Sequence, residues 1–292
     1  MKWLLFFVFS LQVCAHAFQE KRDQLERDGY VWIKHFYSPE QVRLLQKWAD
    51  EVHDSAQSLS FLSQHSGQSL QHLAKIFPGA LIVVPEAENP NQICRAEDML
   101  SCFPMLHHFI YGTITGYLNA LVETPYTLFK DKINFKWPGG GAFLPHQDFP
   151  AYAHFSQEHI TAMVAIDAAT IENGCLYVAK DWKQSLAKDA SLQGWVLPYQ
   201  EGGPAHGSIE QSVCDQLTWI PIEAEPGDLL FFDSFLPHYS QPNRSDKPRR
   251  AMFFTHNPLK EGDHRSAYYH AKREDPDNPV FHFATPTKAR TK

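Results

Sequence analysis

The sequence has no block of five or more basic residues, no repeat with a period of roughly 20 to 50 residues and no apolar run long enough to cross a bilayer comfortably. The first absence, with a net charge of −7 when histidine is neutral, argues against a nucleic-acid partner, which would call for a basic stripe. The second argues against a solenoid or propeller. The third argues against a stable membrane span. No linker-like stretch divides the 292 residues, so 18–292 reads as one domain, a length that a single β barrel or sandwich can use. Cysteine is scarce too. Apart from Cys14 there are Cys94, Cys102, Cys175 and Cys214, an even set in which Cys94 and Cys102 could close a short loop, or all four could stay as buried thiols.

Residues 1–17 stand apart. Met1–Lys2 give a positive start, Trp3 to Val13 an apolar run, and Ala15-His16-Ala17 a small-residue cleavage pattern. Together they read as a secretory signal, which would place the chain in the secretory pathway or outside the cell. The alternative is an apolar N-terminal helix packed on the domain, with the chain in the cytoplasm. Asn243-Arg244-Ser245 is an N-x-S sequon, a triplet too common to decide between them.

Residues 19 to about 57 read as helix, strand, helix. Gly29 suits a helix end and Tyr30-Val31-Trp32-Ile33 a strand. Ser38 then caps a helix with Pro39 at its first position and Gln41 completing a capping box. The stretch from 58 to about 95 is polar and irregular apart from a strand over 80–84, and 99–122 looks helical. From 125 onward short β-prone runs alternate with Gly, Pro and Asn: 126–137, 160–168, 175–178, 228–232 and 250–255. Many short strands with long connections predict an antiparallel sandwich or jelly roll, not βαβ winding.

The chemistry centres on His146-Gln147-Asp148. In a strand, residues two apart face the same way, so His146 and Asp148 would project into one space. A third ligand can come from a neighbouring strand; His238, after the apolar run Leu229-Leu230-Phe231-Phe232, is the candidate. Two imidazoles and a carboxylate on one face of a metal form the facial triad of non-haem Fe(II) oxygenases. The plain alternative for His146 is a surface turn after Gly139-Gly140-Gly141. Arg249 lies eleven residues after His238 and Ser240 two after it. A buried guanidinium fork beside a hydroxyl suits the far carboxylate of a 2-oxo diacid, while Arg250 should point the other way. On the strand over 126–137, Lys130, Lys132, Asn134 and Lys136 share one face; Phe129, Asp131, Ile133, Phe135 and Trp137 take the other. An amphipathic strand with its lysines in water is the bland reading.

His146-Gln147-Asp148, the Glu172-Asn173-Gly174-Cys175-Leu176 turn, Pro226-Gly227-Asp228, His238 with Ser240, and Arg249 together resemble the phytanoyl-CoA dioxygenase family, with similarity to its ectoine hydroxylase and 2-aminoethylphosphonate dioxygenase branches. The resemblance runs over about residues 20 to 260. It implies a mainly β double-stranded β-helix (jelly roll) with N-terminal helices outside, and an Fe(II)- and 2-oxoglutarate-dependent dioxygenase that uses O2 to hydroxylate a C–H bond, releasing succinate and CO2. Carried over by position, it implies iron on His146, Asp148 and His238, and 2-oxoglutarate on Arg249, Ser240, Lys132 and Asn134. Lys130, with Lys136, is left for the anion of a small-molecule substrate, a phosphonate or carboxylate. A fatty acyl-CoA hydroxylase or a silent jelly-roll binding protein is the alternative. Asp181-Trp182-Lys183 departs from the family's usual turn, which puts the substrate-side loop in doubt.

Overall fold

The computed structural model describes residues 18–87, 89–186, 195–200, 208–276 and 278–282. The segment read as a signal, 1–17, lies outside the described residues. Helix α1 (18–28) leads into strand β1 (Tyr30–Ile33) and helix α2 (Pro39–Ser66). The expected capping box is present: Gln41 N donates to Ser38 Oγ (3.4 Å) and Ser38 N donates to the Gln41 side chain (2.9 Å). Helix α2 runs nine residues past the expected end and is followed by a short α3 (Leu70–Ile76) where irregular chain was expected. Its buried stripe of Val42, Leu45, Ala49, Val52, Ala56 and Ser60 keeps helical spacing but ends in small side chains, so hydrophobicity fades before the helix does. The helix expected over 99–122 is broken instead. Met99–Cys102, a π-helical His108–Thr115 and Gly116–Val122 follow one another, with Pro104, which has no backbone donor, in the first gap.

Two antiparallel sheets make the jelly roll. The strands after β1 are β2 (Ile82–Pro85), β3 (Ile93–Glu97), β4 (Tyr126–Lys136), β5 (Phe143–His146), β6 (Ile160–Ala165), β7 (Leu176–Lys180), β8 (Thr218–Ile222), β9 (Leu229–Asp233), β10 (His238–Ser240) and β11 (Arg249–Pro258). The larger sheet has the order β1-β9-β6-β11-β4-β3-β2, the smaller β5-β10-β7-β8. Alternation along the large sheet separates two cores. Ile133, Phe135, Val164, Phe231, Met252 and Phe254 face the N-terminal helices, whereas Met163, Leu230, Phe232, Ala251 and Phe253 face the small sheet. Because both faces are covered, these strands lack the polar-out signature of a solvated sheet.

One strand assignment is corrected by a bulge. Thr255 pairs with Lys130 and His256 with Leu128, so Phe129 is an extra residue on β4. Phe129 therefore packs on the lumen side with Tyr152 and Tyr268, not on the opposite face from Lys130. Of the two readings left open for the cysteines, the structure shows the free thiols. Cys94 and Cys102 are both free, with the Cys102 thiol donating to Gly79 O (2.8 Å). Asn243 of the sequon is buried, and its side-chain amide donates to Lys136 O and Lys247 O. It builds a turn, not a glycan acceptor.

The Pro226-Gly227-Asp228 motif is structural. A Cβ on Gly227 (φ +93) would meet Val42 Cγ2 at 2.7 Å, so only glycine lets α2 close on this corner. Asp228 accepts from Trp32 Nε1, His35 N and Glu225 N, tying the first strand to the ninth. Among the described residues no helix is long and apolar enough to cross a membrane.

Candidate active site

His146 ends β5 and His238 begins β10, and the two are directly opposed across the antiparallel pair. Their rings lie 4.2 Å apart. The Nδ1 atoms of His146 and His238 sit 2.6 Å and 2.9 Å from Leu144 O and Leu236 O, which orients both Nε2 atoms toward the interior. Asp148 is not a strand residue. It sits past the end of β5 in helical backbone (φ −76, ψ −27), and its carboxylate reaches 3.9 Å from His146 Nε2. Gln147 turns away and staples the wall: its side chain donates to Trp195 O and Phe235 O and accepts from Leu197 N.

One ligand atom from each of His146, Asp148 and His238 lies within 4.8 Å of the others, and all three side chains are buried. Burial, then the neighbouring His238, pushes the His146 imidazole down to about 3. Burial also lowers His238, against the pull of Asp148. Burial alone would raise the Asp148 carboxyl, but His238, Lys132 and His146 hold it below its ordinary value. Two neutral imidazoles and a carboxylate are thus ready without losing a proton, and this donor set fits Fe(II).

Beside the triad the lumen carries a pair of cations. Arg249 and Lys136 are opposite one another across β11 and β4 and both are buried. Arg249 Nη2 donates to Gly174 O (2.8 Å) while its Nε has no partner. Lys136 Nζ donates to Ser240 Oγ (2.7 Å) and Gln241 O (2.5 Å). Among the described residues neither cation has a carboxylate partner. Burial pushes Arg249 down to about 10, and burial with the Arg249 charge pushes Lys136 well below its ordinary value. Gly174 makes the approach possible, since at φ +77 a Cβ there would meet Gln241 O at 2.3 Å and Lys136 Cδ at 3.1 Å. Lys136 is thereby moved from the substrate end, where it was expected, to the Arg249 end. Arg250 points outward, to Asp167 and Asp50.

Asn134 is buried in the lumen with its Oδ1 unpartnered. Lys132 lies 5.1 Å over the Phe253 ring and has no ion pair among the described residues. Burial and the charge of Lys130 push it down to about 8. Lys130 reaches a third group, which pattern reasoning missed. Glu97, on the inner strand β3, lies 3.5 Å from Lys130 Nζ and 2.8 Å from Lys272 Nζ. Arg95 Nε is 2.8 Å from its other oxygen, although that N–H is not aligned for a hydrogen bond. Burial would raise the Glu97 carboxyl, yet Lys130, Lys272 and Arg95 hold it well below the usual range. Nearby, Asp98 pairs with Arg265 and Arg273, and Asp131 with Arg265, so the C-terminal helix (Arg265–Glu274) is bound to β3 and β4 by charge. Glu97 was hidden in a polar stretch, and its lysine partners Lys130 and Lys272 lie 33 and 175 residues further along the chain.

The sequence model described as phytanoyl-CoA dioxygenase matches residues 25–251. A 2-aminoethylphosphonate dioxygenase from uncultured bacterium HF130_AEPn_1 is 33% identical over 261 residues, covering 88% of this chain and 87% of the relative. A methylphosphonate hydroxylase of Gimesia maris is 34% identical over 252 residues, covering 86% and 85%. Among solved structures, EctD from S. alaskensis with 2-oxoglutarate and 5-hydroxyectoine superposes with a TM-score of 0.59 at 18% identity, over 83% of this chain and 76% of that one.

Proposed function

The chain belongs to the phytanoyl-CoA dioxygenase family and is a non-haem iron, 2-oxoglutarate-dependent dioxygenase; from that premise we propose that it hydroxylates a small anionic substrate, a phosphonate before a carboxylate. In this reading His146, Asp148 and His238 hold the iron, which when bound supplies the oxidising chemistry with O2 and the 2-oxo acid. Arg249, Lys136 and Ser240 take the distal carboxylate of 2-oxoglutarate, with Asn134 and Lys132 between it and the metal. Lys130, beyond Lys132, takes the substrate's charge.

The observation that carries the reading is the uncompensated charge of the lumen. Around the triad stand Arg249, Lys136 and Lys132, three buried or lumen-facing cations with no carboxylate partner among the described residues. Desolvated cations are costly unless an anion meets them, so the pocket is built for more than one acidic group. With those three met by the 2-oxo acid, Lys130 is the cation left for the substrate, and a fatty acyl chain would set methylenes against its buried ammonium. Two relatives named for phosphonate chemistry, each matched over most of its length, favour the same class.

The test is turnover. The Fe(II)-loaded protein, given O2 and 2-oxoglutarate, should form succinate in step with loss of 2-aminoethylphosphonate or methylphosphonate. Coupled succinate formation only with an acyl-CoA or an uncharged compound would refute the substrate class.

A further inference from the structure

Lys130 brings charge to the substrate end but not shape. Two phenols stand over it. Tyr152 closes the short helix Phe149–Tyr152, one turn after Asp148, and Tyr268 comes from the C-terminal helix, past the stretch matched by the family model. Both are buried, at 3% and 1% exposure. Lys130 Nζ lies 5.5 Å from the Tyr152 ring centre and 5.3 Å from that of Tyr268, and the rings meet edge-on at 6.4 Å. Neither hydroxyl has a hydrogen-bond partner among the described residues. Burial holds both phenols protonated, Tyr268 against Arg95 and Tyr152 against Lys130. Toward an anion they can therefore only donate.

We propose that Lys130, Tyr152 and Tyr268 form a three-donor receptor for the oxyanion head of the substrate, with the C-terminal helix supplying the third donor. This rests on the reading of the site as one for a small anionic substrate and adds its selectivity. Lys130 is a point charge, pinned from behind by Glu97; the two O–H groups are directional. Phe129 walls the site, touching both tyrosine rings, so the donors work in dry surroundings where each bond counts for more. A tetrahedral phosphonate presents three oxygens to three donors. A planar carboxylate presents two, so two of the three donors must share an oxygen whose lone pairs lie in one plane, which is the kind of mismatch that separates close analogues. The receptor thus ranks a phosphonate above the carboxylate of the same length.

Calorimetric titration of the anaerobic Fe(II)·2-oxoglutarate enzyme with methylphosphonate and with acetate reads this ranking directly. Wild type should bind methylphosphonate more tightly. Tyr152→Phe and Tyr268→Phe, which keep the packed rings, should each weaken methylphosphonate by about tenfold, the loss of one hydrogen bond to a charged group. Both should narrow the preference over acetate and leave 2-oxoglutarate affinity unchanged. Tyr269→Phe is the control, because its hydroxyl is engaged with the Asp131 backbone and side chain; it should lower Tm and leave methylphosphonate affinity in place. Wild-type affinity in both Tyr152→Phe and Tyr268→Phe overturns the receptor even if phosphonates are hydroxylated. The expected binding pattern without phosphonate-coupled succinate formation upholds the receptor and refutes the substrate class. No binding of methylphosphonate by wild type overturns the receptor.

Discussion

Replacing Arg249 by methionine should weaken 2-oxoglutarate binding by two orders of magnitude while leaving the ligand-free protein at least as stable. The guanidinium is buried and makes one hydrogen bond, to Gly174 O; its Nε is unpartnered and its neighbour is a second buried cation, Lys136. In the ligand-free chain these two charges repel and neither meets a carboxylate among the described residues, so Arg249 burdens the fold. Methionine keeps most of the volume and removes the repulsion, leaving burial alone to hold Lys136 below its ordinary value. With 2-oxoglutarate bound, the same arginine would face the distal carboxylate. Truncating one side of a buried charged pair costs about 3 kcal/mol, or about 150-fold in Kd. Anaerobic titration of the Fe(II) protein, followed by the visible band of the iron chelate, gives the affinity; thermal unfolding with and without 2-oxoglutarate gives the stability. Arg249→Met should show an unchanged or higher Tm alone and lose most of the 2-oxoglutarate-induced rise. Arg250→Ala should do the opposite, losing its ion pairs to Asp167 and Asp50 and with them stability, but not affinity. A Kd within threefold of wild type, or equal effects at the two arginines, would refute the reasoning.

Three further outcomes are expected. His146→Ala and Asp148→Ala should each abolish the chelate band and Fe(II) binding by calorimetry; an unchanged band in either variant would remove that residue from the ligand set. Gly174→Ala should weaken 2-oxoglutarate binding and lower Tm together, because the new Cβ meets Gln241 O at 2.3 Å on a backbone with φ +77, and a wild-type Tm would show that the turn relaxes freely. Burial pushes His159 and His256 down to about 4, so folded protein keeps both neutral while unfolded chain takes up protons below about 6.5. Stability should therefore fall as pH drops from about 6.5 to about 4, by about 1.4 kcal/mol per pH unit for each histidine. Urea unfolding across that range should show a shallower slope in His256→Gln, and an identical slope would place the acid sensitivity elsewhere.

The jelly roll and the metal-ligating trio could be read from the sequence because short-range rules carry them. Turn residues punctuate the strands, and polar and apolar residues alternate along β4 from Lys132 to Lys136. Other features depend on long-range geometry. The bulge at Phe129 comes from pairing with β11, 120 residues on, and no local signal at Phe129 announces it. Asp148 was assigned by strand alternation and reaches the centre through a turn instead. Lys136 was given to the substrate because the lysines share a face; which end of that face meets Arg249 depends on register, and β4 runs antiparallel to β11 with Lys136 opposite Arg249. Glu97, Tyr152 and Tyr268 carry no motif. Their place follows from the C-terminal helix folding back onto β3 and β4.

That fold-back governs when the molecule can be finished. Glu97, Asp98 and Asp131 are made early, and the Lys272, Arg265 and Arg273 that meet them leave the ribosome more than 130 residues later. Until then Asp98 and Asp131 have no cationic partner among the described residues and cannot be buried cheaply. The wall of the lumen on that side is therefore the last to close, and a nascent chain that already carries the metal-ligating strands still has an open, wet interior. A chain cut before Arg265 would remain in that state, trapped one helix short of a sealed reaction chamber.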